Sequence, residues 1–210
     1  MSPASRSIRL SGFTAPLLLL ALSMQSSAAN QVPLFAQYGT QGLALRSYSV
    51  PIHIDVAVHK LITFHVGLNG TVYYRRPGRL AASIHDLPEK YQRGFAELGT
   101  PRTWPETYDM QVIGKETTGG QCMYHLRGTP VQQNDIDYLV ADVADGAPIK
   151  ATWYLKGGGT IKSTFDMTNI GDYSMPKQQH LDIDAGGSKV HADITYGDYD
   201  LNAEVSDSQF

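Results

Sequence analysis

The side chains able to do chemistry are seven histidines, one cysteine and a late series of carboxylates. The histidines are His53, His59, His65, His85, His125, His180 and His191. No two of them stand at a metal-ligand spacing, and neither H-E-x-x-H, G-x-S-x-G nor G-x-G-x-x-G occurs. Cys122 and His125 are three residues apart, which on a strand puts them on opposite faces and argues against a shared metal. Cys122 alternates with Tyr124 and Leu126, so it reads as a small inward-facing apolar group with no base beside it. The carboxylates Asp182, Asp184, Asp193, Asp198, Asp200, Glu204 and Asp207 come close together in sequence. Paired as Asp182/Asp184 and Asp198/Asp200 they have the types needed for Ca²⁺ or for acid–base work. The same spacing makes them the wet face of strands whose Leu181, Ile183, Tyr199 and Leu201 point inward. The densest basic cluster, Arg75-Arg76-Pro77-Gly78-Arg79, reads as a kinked strand edge or as an anchor for an anionic group. The expectation is therefore no catalytic residue, no metal and no cofactor.

The elements that would position these groups follow from period two. Tyr48, Val50, Ile52, Ile54, Val56 and Val58 alternate with Ser47, Ser49, Pro51, His53, Asp55 and His59, the pattern of a long half-buried strand. Pro51 on its polar side suggests an edge or a bulge. Asn69-Gly70 breaks the next run, from Leu61 to Tyr74, and predicts a hairpin turn. Further strands are predicted over 79–84, 108–115, 121–127, 136–143, 148–156, 160–167, 180–184, 190–196 and 199–205, with Gly-Gly and Asp-Gly spacers between several of them. One segment differs. Asp86-Leu87-Pro88-Glu89 has the form of a helix start, and Leu87, Tyr91, Phe95 and Leu98 then make a helical stripe ended by Gly99 and Pro101. A helix over 88–98 among so many strands must cover an open sheet face.

Arg6 and Arg9, the apolar run Leu17 to Leu22 and the small residues Ser26 to Ala29 have the form of a secretory leader over residues 1–29. That leaves one domain over 30–210. The net charge of −3 becomes −5 once Arg6 and Arg9 leave, and no Lys/Arg run remains to face nucleic acid. With a single cysteine, the exported chain has no internal disulfide.

Three ordered features carry a resemblance: Gly70-Thr71-Val72-Tyr73-Tyr74-Arg75-Arg76-Pro77-Gly78-Arg79-Leu80, Ile170-Gly171-Asp172-Tyr173-Ser174-Met175-Pro176, and Tyr199-Asp200-Leu201-Asn202 with Ser206-Asp207-Ser208-Gln209-Phe210. In this order, after a long alternating strand, they resemble the LolA-like superfamily of exported lipid- and lipoprotein-binding proteins. The resemblance spans about Ser47 to Phe210. It implies a mainly β fold: a half-open antiparallel β-barrel, or curved sheet, with one or two helices covering its open face. It implies a periplasmic or secreted protein that holds the acyl chains of a lipid or lipoprotein, as an envelope carrier or sensor, with envelope membrane proteins as further candidate partners and a monomeric state expected. The cavity residues would be Val50, Ile52, Ile54, Val56, Tyr124, Leu126, Ile149, Trp153, Leu155, Ile161 and Phe165, under a cover offering Tyr91, Phe95 and Leu98, with Arg76 and Arg79 on a polar rim. The alternatives are a structural or protein-binding envelope module with a filled core, and a secreted carboxylate-based hydrolase.

Overall fold

The computed structural model describes residues 44–59, 63–144 and 146–210. The expected leader and the start of the mature domain fall in 1–43, outside the described residues. Eleven strands form a single antiparallel sheet: β1 (Ser47–His59), β2 (Thr63–Arg75), β3 (Arg79–Ile84), β4 (Tyr108–Thr118), β5 (Gln121–Pro130), β6 (Ile136–Ala144), β7 (Ala147–Leu155), β8 (Thr160–Ile170), β9 (Tyr173–Ala185), β10 (Ser188–Tyr196) and β11 (Asp200–Leu201). Their order is β3-β2-β1-β10-β9-β8-β7-β6-β5-β4, with β11 added to β1. Strands consecutive in sequence pair with each other, except β3 and β4, which lie at opposite ends, and β11, which pairs with β1 rather than with β10; β1 and β10 also pair. The sheet is open. The chain passes from one end to the other through helix α1 (Glu89–Gly99), a 3₁₀ turn (Pro101–Thr103) and a single helical turn, α2 (Trp104–Thr107).

Period two decides which way each strand faces. On β1, Tyr48, Val50, Ile52 and Ile54 are buried while Pro51, His53 and Asp55 are exposed. Each such aliphatic side chain contributes ~1.5–3 kcal/mol by leaving water, so a register slip of one residue would be costly. The same face continues through Ala192 and Ile194 on β10, Leu181 on β9, Phe165 on β8, Trp153 on β7, Leu139 on β6 and Leu126 on β5. The buried residues form two clusters. One gathers around β1, β2, β9 and β10, the other around α2 and β5 to β8, and Ile161 packs against both.

Several local expectations are corrected. Asn69-Gly70 does not turn the chain: β2 runs through both residues, and the β1–β2 pairing reaches His59↔Thr63 before it reverses. Neighbours use the two residues instead. Asn69 Oδ1 lies 2.8 Å from His53 Nδ1, and a Cβ on Gly70 would come within 2.5 Å of the Ser83 carbonyl on β3. Pro51 is on neither an edge nor an isolated bulge, because β1 is central. On one side it faces Thr71; on the other it falls between the last β10 pair, Ile52↔Tyr196, and the first β11 pair, Ser49↔Asp200, where no N–H is required. The strand near His180 is longer than expected, starting at Tyr173, and the last strand is only Asp200–Leu201. Asp86 does not cap the helix. It sits at φ 64°, Pro88 occupies the cap without a side-chain bond, and Gln92 donates to the Leu87 carbonyl instead, at 2.7 Å.

On the outer face of β9 and β10, two of the late carboxylates, Asp182 and Asp193, pair with histidines. His191 lies between two carboxylates, with Nδ1 2.9 Å from Asp182 and Nε2 3.3 Å from Asp193, while His180 bonds Asp193 from the other side. The hydrogen bond to Asp182 raises the His191 pKa above 6.5, burial opposes it, and Asp193 adds to the rise. Asp193 is lowered from 3.8, chiefly by the hydrogen bond from His180. The raised histidine contributes stability that is complete below pH 6.5 and is lost as pH rises through its folded value. The lowered aspartate contributes stability present above pH 3.8 and lost as pH falls through its folded value. We expect urea midpoints to be highest between pH 3.8 and 6.5, and His191→Gln to flatten the fall on the alkaline side. An alkaline limb identical in the variant would show that this pair does not contribute.

Candidate functional site

An open sheet with an apolar concave face needs a cover, and α1 with its following turn supplies it. Leu87 and Phe95 pack on the β1–β10 cluster, and Leu98 packs on the α2 cluster, so the segment bridges the two. Helix ends leave backbone carbonyls without intrahelical partners. No left-handed cap closes α1: Thr100 follows it in a non-helical conformation, at φ −125° and ψ 78°. Side chains from the sheet do this work. Gln179, fully buried on β9, donates from Nε2 to the Leu98 carbonyl at 3.1 Å and to Ser163 Oγ at 2.9 Å. Its Oε1 accepts from Tyr196 Oη at 2.8 Å, and that hydroxyl also lies 3.4 Å from the Gly99 carbonyl. Burial pushes the Tyr196 phenol far up, so it stays a donor at any physiological pH.

Gly99 is therefore required by close approach rather than as a left-handed terminator. A Cβ there would stand 2.5 Å from Tyr196 Oη and 3.2 Å from Gln179 Oε1. The signal for this pin in the sequence is that Gln179 and Ser163 are polar residues at inward positions of otherwise apolar alternations, beside Leu181 and between Ile161 and Phe165.

The structure places Val50, Ile52 and Ile54 in the first buried cluster, with Val56 and Phe95 half-buried against it. Leu126, Trp153 and Phe165 lie buried in the second, with Tyr124 and Leu98 half-buried against it. Ile161 touches both clusters, and Leu155 is half-buried at the end of β7. Two residues stay outside. Tyr91 is 55 % exposed on α1, and Ile149 is 40 % exposed near the start of β7. Arg76 is exposed in the turn after β2, and its backbone N–H donates to Arg46. Arg79 is engaged by the chain's own tail. It and Arg75 both bond Asp207, and both guanidinium groups lie over the Phe210 ring, at 4.5 and 5.1 Å. The second and third ordered sequence features also meet, since Tyr199 Oη donates to the Pro176 carbonyl at 2.7 Å.

Sequence reasoning missed Trp104. This side chain of α2 is 1 % exposed and packs edge-on against Trp153 and Phe165, with centroids at 5.9 and 6.1 Å. Beside it, Thr103, Glu106 and Thr107 line a polar groove of about 690 Å³, together with Gly78, Gly94, Glu97 and residues 132–134. No group of three or more His, Cys, Asp or Glu side chains able to hold a metal is present among the described residues. No helix among them is long and apolar enough to cross a membrane.

Gln179→Leu keeps the bulk of the pin but leaves the Leu98 carbonyl and the Ser163 and Tyr196 hydroxyls without it. With a cost of ~1–3 kcal/mol for each buried orphan, a loss of about 3 kcal/mol in urea unfolding is expected. Amide exchange should quicken in α1 before it does in β9 and β10. Uniform acceleration across the sheet would contradict the assignment of this network to the cover.

No protein-family model matches the sequence, and no curated protein matches it. Solved structures do match. A LolA superfamily protein from Nitrosomonas europaea aligns with a TM-score of 0.55 at 13 % identity, over 78 % of this chain and 89 % of its own. A DUF1329 family protein from Desulfovibrio piger aligns with a TM-score of 0.55 at 14 % identity, over 84 % of this chain and 96 % of its own. A putative outer membrane lipoprotein-sorting protein domain from Vibrio parahaemolyticus aligns at 0.48 and 12 % identity, over 76 % and 88 %. At such identities the likeness is one of fold: the chain is similar in fold to the LolA superfamily protein and to the DUF1329 family protein.

Proposed function

We propose that this protein is an exported binding protein that holds acyl chains, of a lipid or of a lipidated protein, between the concave face of its open sheet and the α1 cover. One observation carries the reading. Among the described residues, the apolar face of a sheet that does not close is covered by α1 and the turn that follows it, and α1 is fastened to the sheet at its C-terminal end by Gln179 and Tyr196. A cover held by a few hydrogen bonds can part from the sheet without breaking the strand ladder. The gain from enclosing a chain is ample, since ~0.8 kcal/mol per CH₂ gives on the order of 10 kcal/mol for sixteen carbons before ordering costs. The leader expected from the sequence over residues 1–29 supports the same reading, because acyl chains outside a membrane need carriage through water. The LolA-like fold of the neighbours supports the same reading by analogy only.

A filled-core module that binds protein partners is the second reading, and the close packing of Trp104 on Trp153 and Phe165 favours it. Native mass spectrometry of the exported protein separates the two. The carrier reading expects adducts of acyl-lipid mass that organic extraction removes, with a fluorescent fatty acid then rebinding to the stripped protein. A single unadducted mass together with no uptake of that probe would leave the filled-core module standing.

A further inference from the structure

The two tryptophans of this chain are both buried, and they differ in one respect. Trp153 Nε1 donates to Tyr108 Oη at 3.1 Å, and burial pushes that phenol up to about 12. Trp104 Nε1 has no acceptor. Among the described residues it is the one buried side-chain polar atom without a hydrogen-bond partner. Buried donors are nearly always paired, because removing an N–H from water without a replacement acceptor is costly. The environment sharpens the anomaly. The indole packs on Trp153 and Phe165 in a cluster that also holds Leu126 and Leu139, with Leu98 of the cover packed against that cluster, and the cluster's other indole N–H is satisfied.

The position of α2 indicates what the missing acceptor is. This single helical turn separates two environments. Trp104 belongs to the aromatic cluster, while Thr103, Glu106 and Thr107 line the polar groove of about 690 Å³. A molecule with a long apolar part and a polar head, lying across this boundary, brings the junction of tail and head to α2. In acyl lipids and acylated proteins that junction is a carbonyl, an acceptor with no donor of its own. The geometry points to Trp104 as a ligand-binding residue whose indole N–H donates to the carbonyl oxygen of an ester- or amide-linked acyl group, so that the site selects acyl compounds over plain hydrocarbons. This inference rests on the acyl-binding reading above and narrows it to a ligand class and an anchoring atom.

The test compares methyl laurate with tetradecane, matched in chain length and differing in the carbonyl, on the full mature chain. Displacement of a fluorescent fatty acid gives affinities for the wild type and for Trp104→Phe, which retains an aromatic ring and removes the donor. The ester-to-alkane affinity ratio should be about tenfold higher in the wild type than in the variant, the size of one ordinary hydrogen bond, a comparison from which the greater hydrophobicity of the alkane cancels. In ¹⁵N-labelled wild-type protein only two indole signals arise, so the Trp104 signal is readily assigned. It should move downfield on loading with the ester and not with the alkane, while Trp153 stays in place. This second measurement needs no variant, so the inference remains testable if Trp104→Phe fails to fold. An ester-to-alkane affinity ratio unchanged by Trp104→Phe would overturn the assignment of Trp104 and leave acyl-chain binding intact. So would a Trp104 indole proton already slow to exchange in the stripped protein and unmoved by the ester, since its acceptor would then lie within the chain. Binding of neither compound would remove the acyl-binding reading and this inference with it.

Discussion

The open edge of the sheet is the constraint from which the rest of this structure follows. With β3 and β4 at opposite ends, the apolar concave face cannot be sealed by strand pairing, and one crossing segment must both span the gap and cover the face. That segment is a helix and a turn, and a helix brings unsatisfied carbonyls to wherever it ends. Here it ends over the core. The buried amide of Gln179 is thus the price of closing an open barrel with a helix: it accepts from Tyr196 and donates to Ser163 and Leu98, satisfying both sides of the interface at once. Gly99 follows from the same requirement, because only a residue without Cβ lets the helix terminus approach the Tyr196 hydroxyl.

The remaining features divide between the two faces. Inward, aliphatic side chains mixed with Tyr48, Tyr74 and Tyr196 fill the part around β1, β9 and β10, and Trp104, Trp153 and Phe165 fill the part around α2, β7 and β8, with Ile161 between. Outward, it is a field of His–Asp and Lys–Asp pairs. Asp142 shows the logic. Burial alone would raise its pKa, but hydrogen bonds from Lys150 and His125 outweigh burial and hold it below 3.8. Such pairs answer the desolvation of carboxylates on a curved sheet and require no catalytic role. The basic turn after β2 belongs to the same outer economy of charge, since Arg75 and Arg79 hold the C-terminal tail through Asp207 and Phe210.

Much of the fold was legible because it depends on periodicity. The run from Tyr48 to Val58 announces its inward face, and the stripe of Leu87, Phe95 and Leu98 announces a helix that must cover a sheet. What escaped depends on pairing across long sequence separations. Asn69-Gly70 carries the local chemistry of a turn, yet β3 packs against Gly70 and His53 bonds Asn69, so tertiary contacts keep the strand straight. Pro51 looks like an edge residue until the switch from β10 to β11 is known. Tyr91 sits on the helical stripe but near the first turn of α1, at a point where it is left largely in solvent.

The site was the least legible part, for a physical reason. A polar residue in an inward register, such as Gln179 or Ser163, reads from sequence as a defect in the alternation. Only the position of the α1 terminus shows that it answers carbonyls some eighty residues away in the chain. Trp104 presents the converse case. Sequence gives an aromatic residue beside prolines, an unremarkable core candidate, and nothing in its neighbours distinguishes its N–H from that of Trp153. The distinction appears once Tyr108 is seen to accept from Trp153 and from no other indole. An alternating strand states that a side chain is inside; whether its polar atom is satisfied there is decided by elements that alternate with different periods and meet only in the folded molecule.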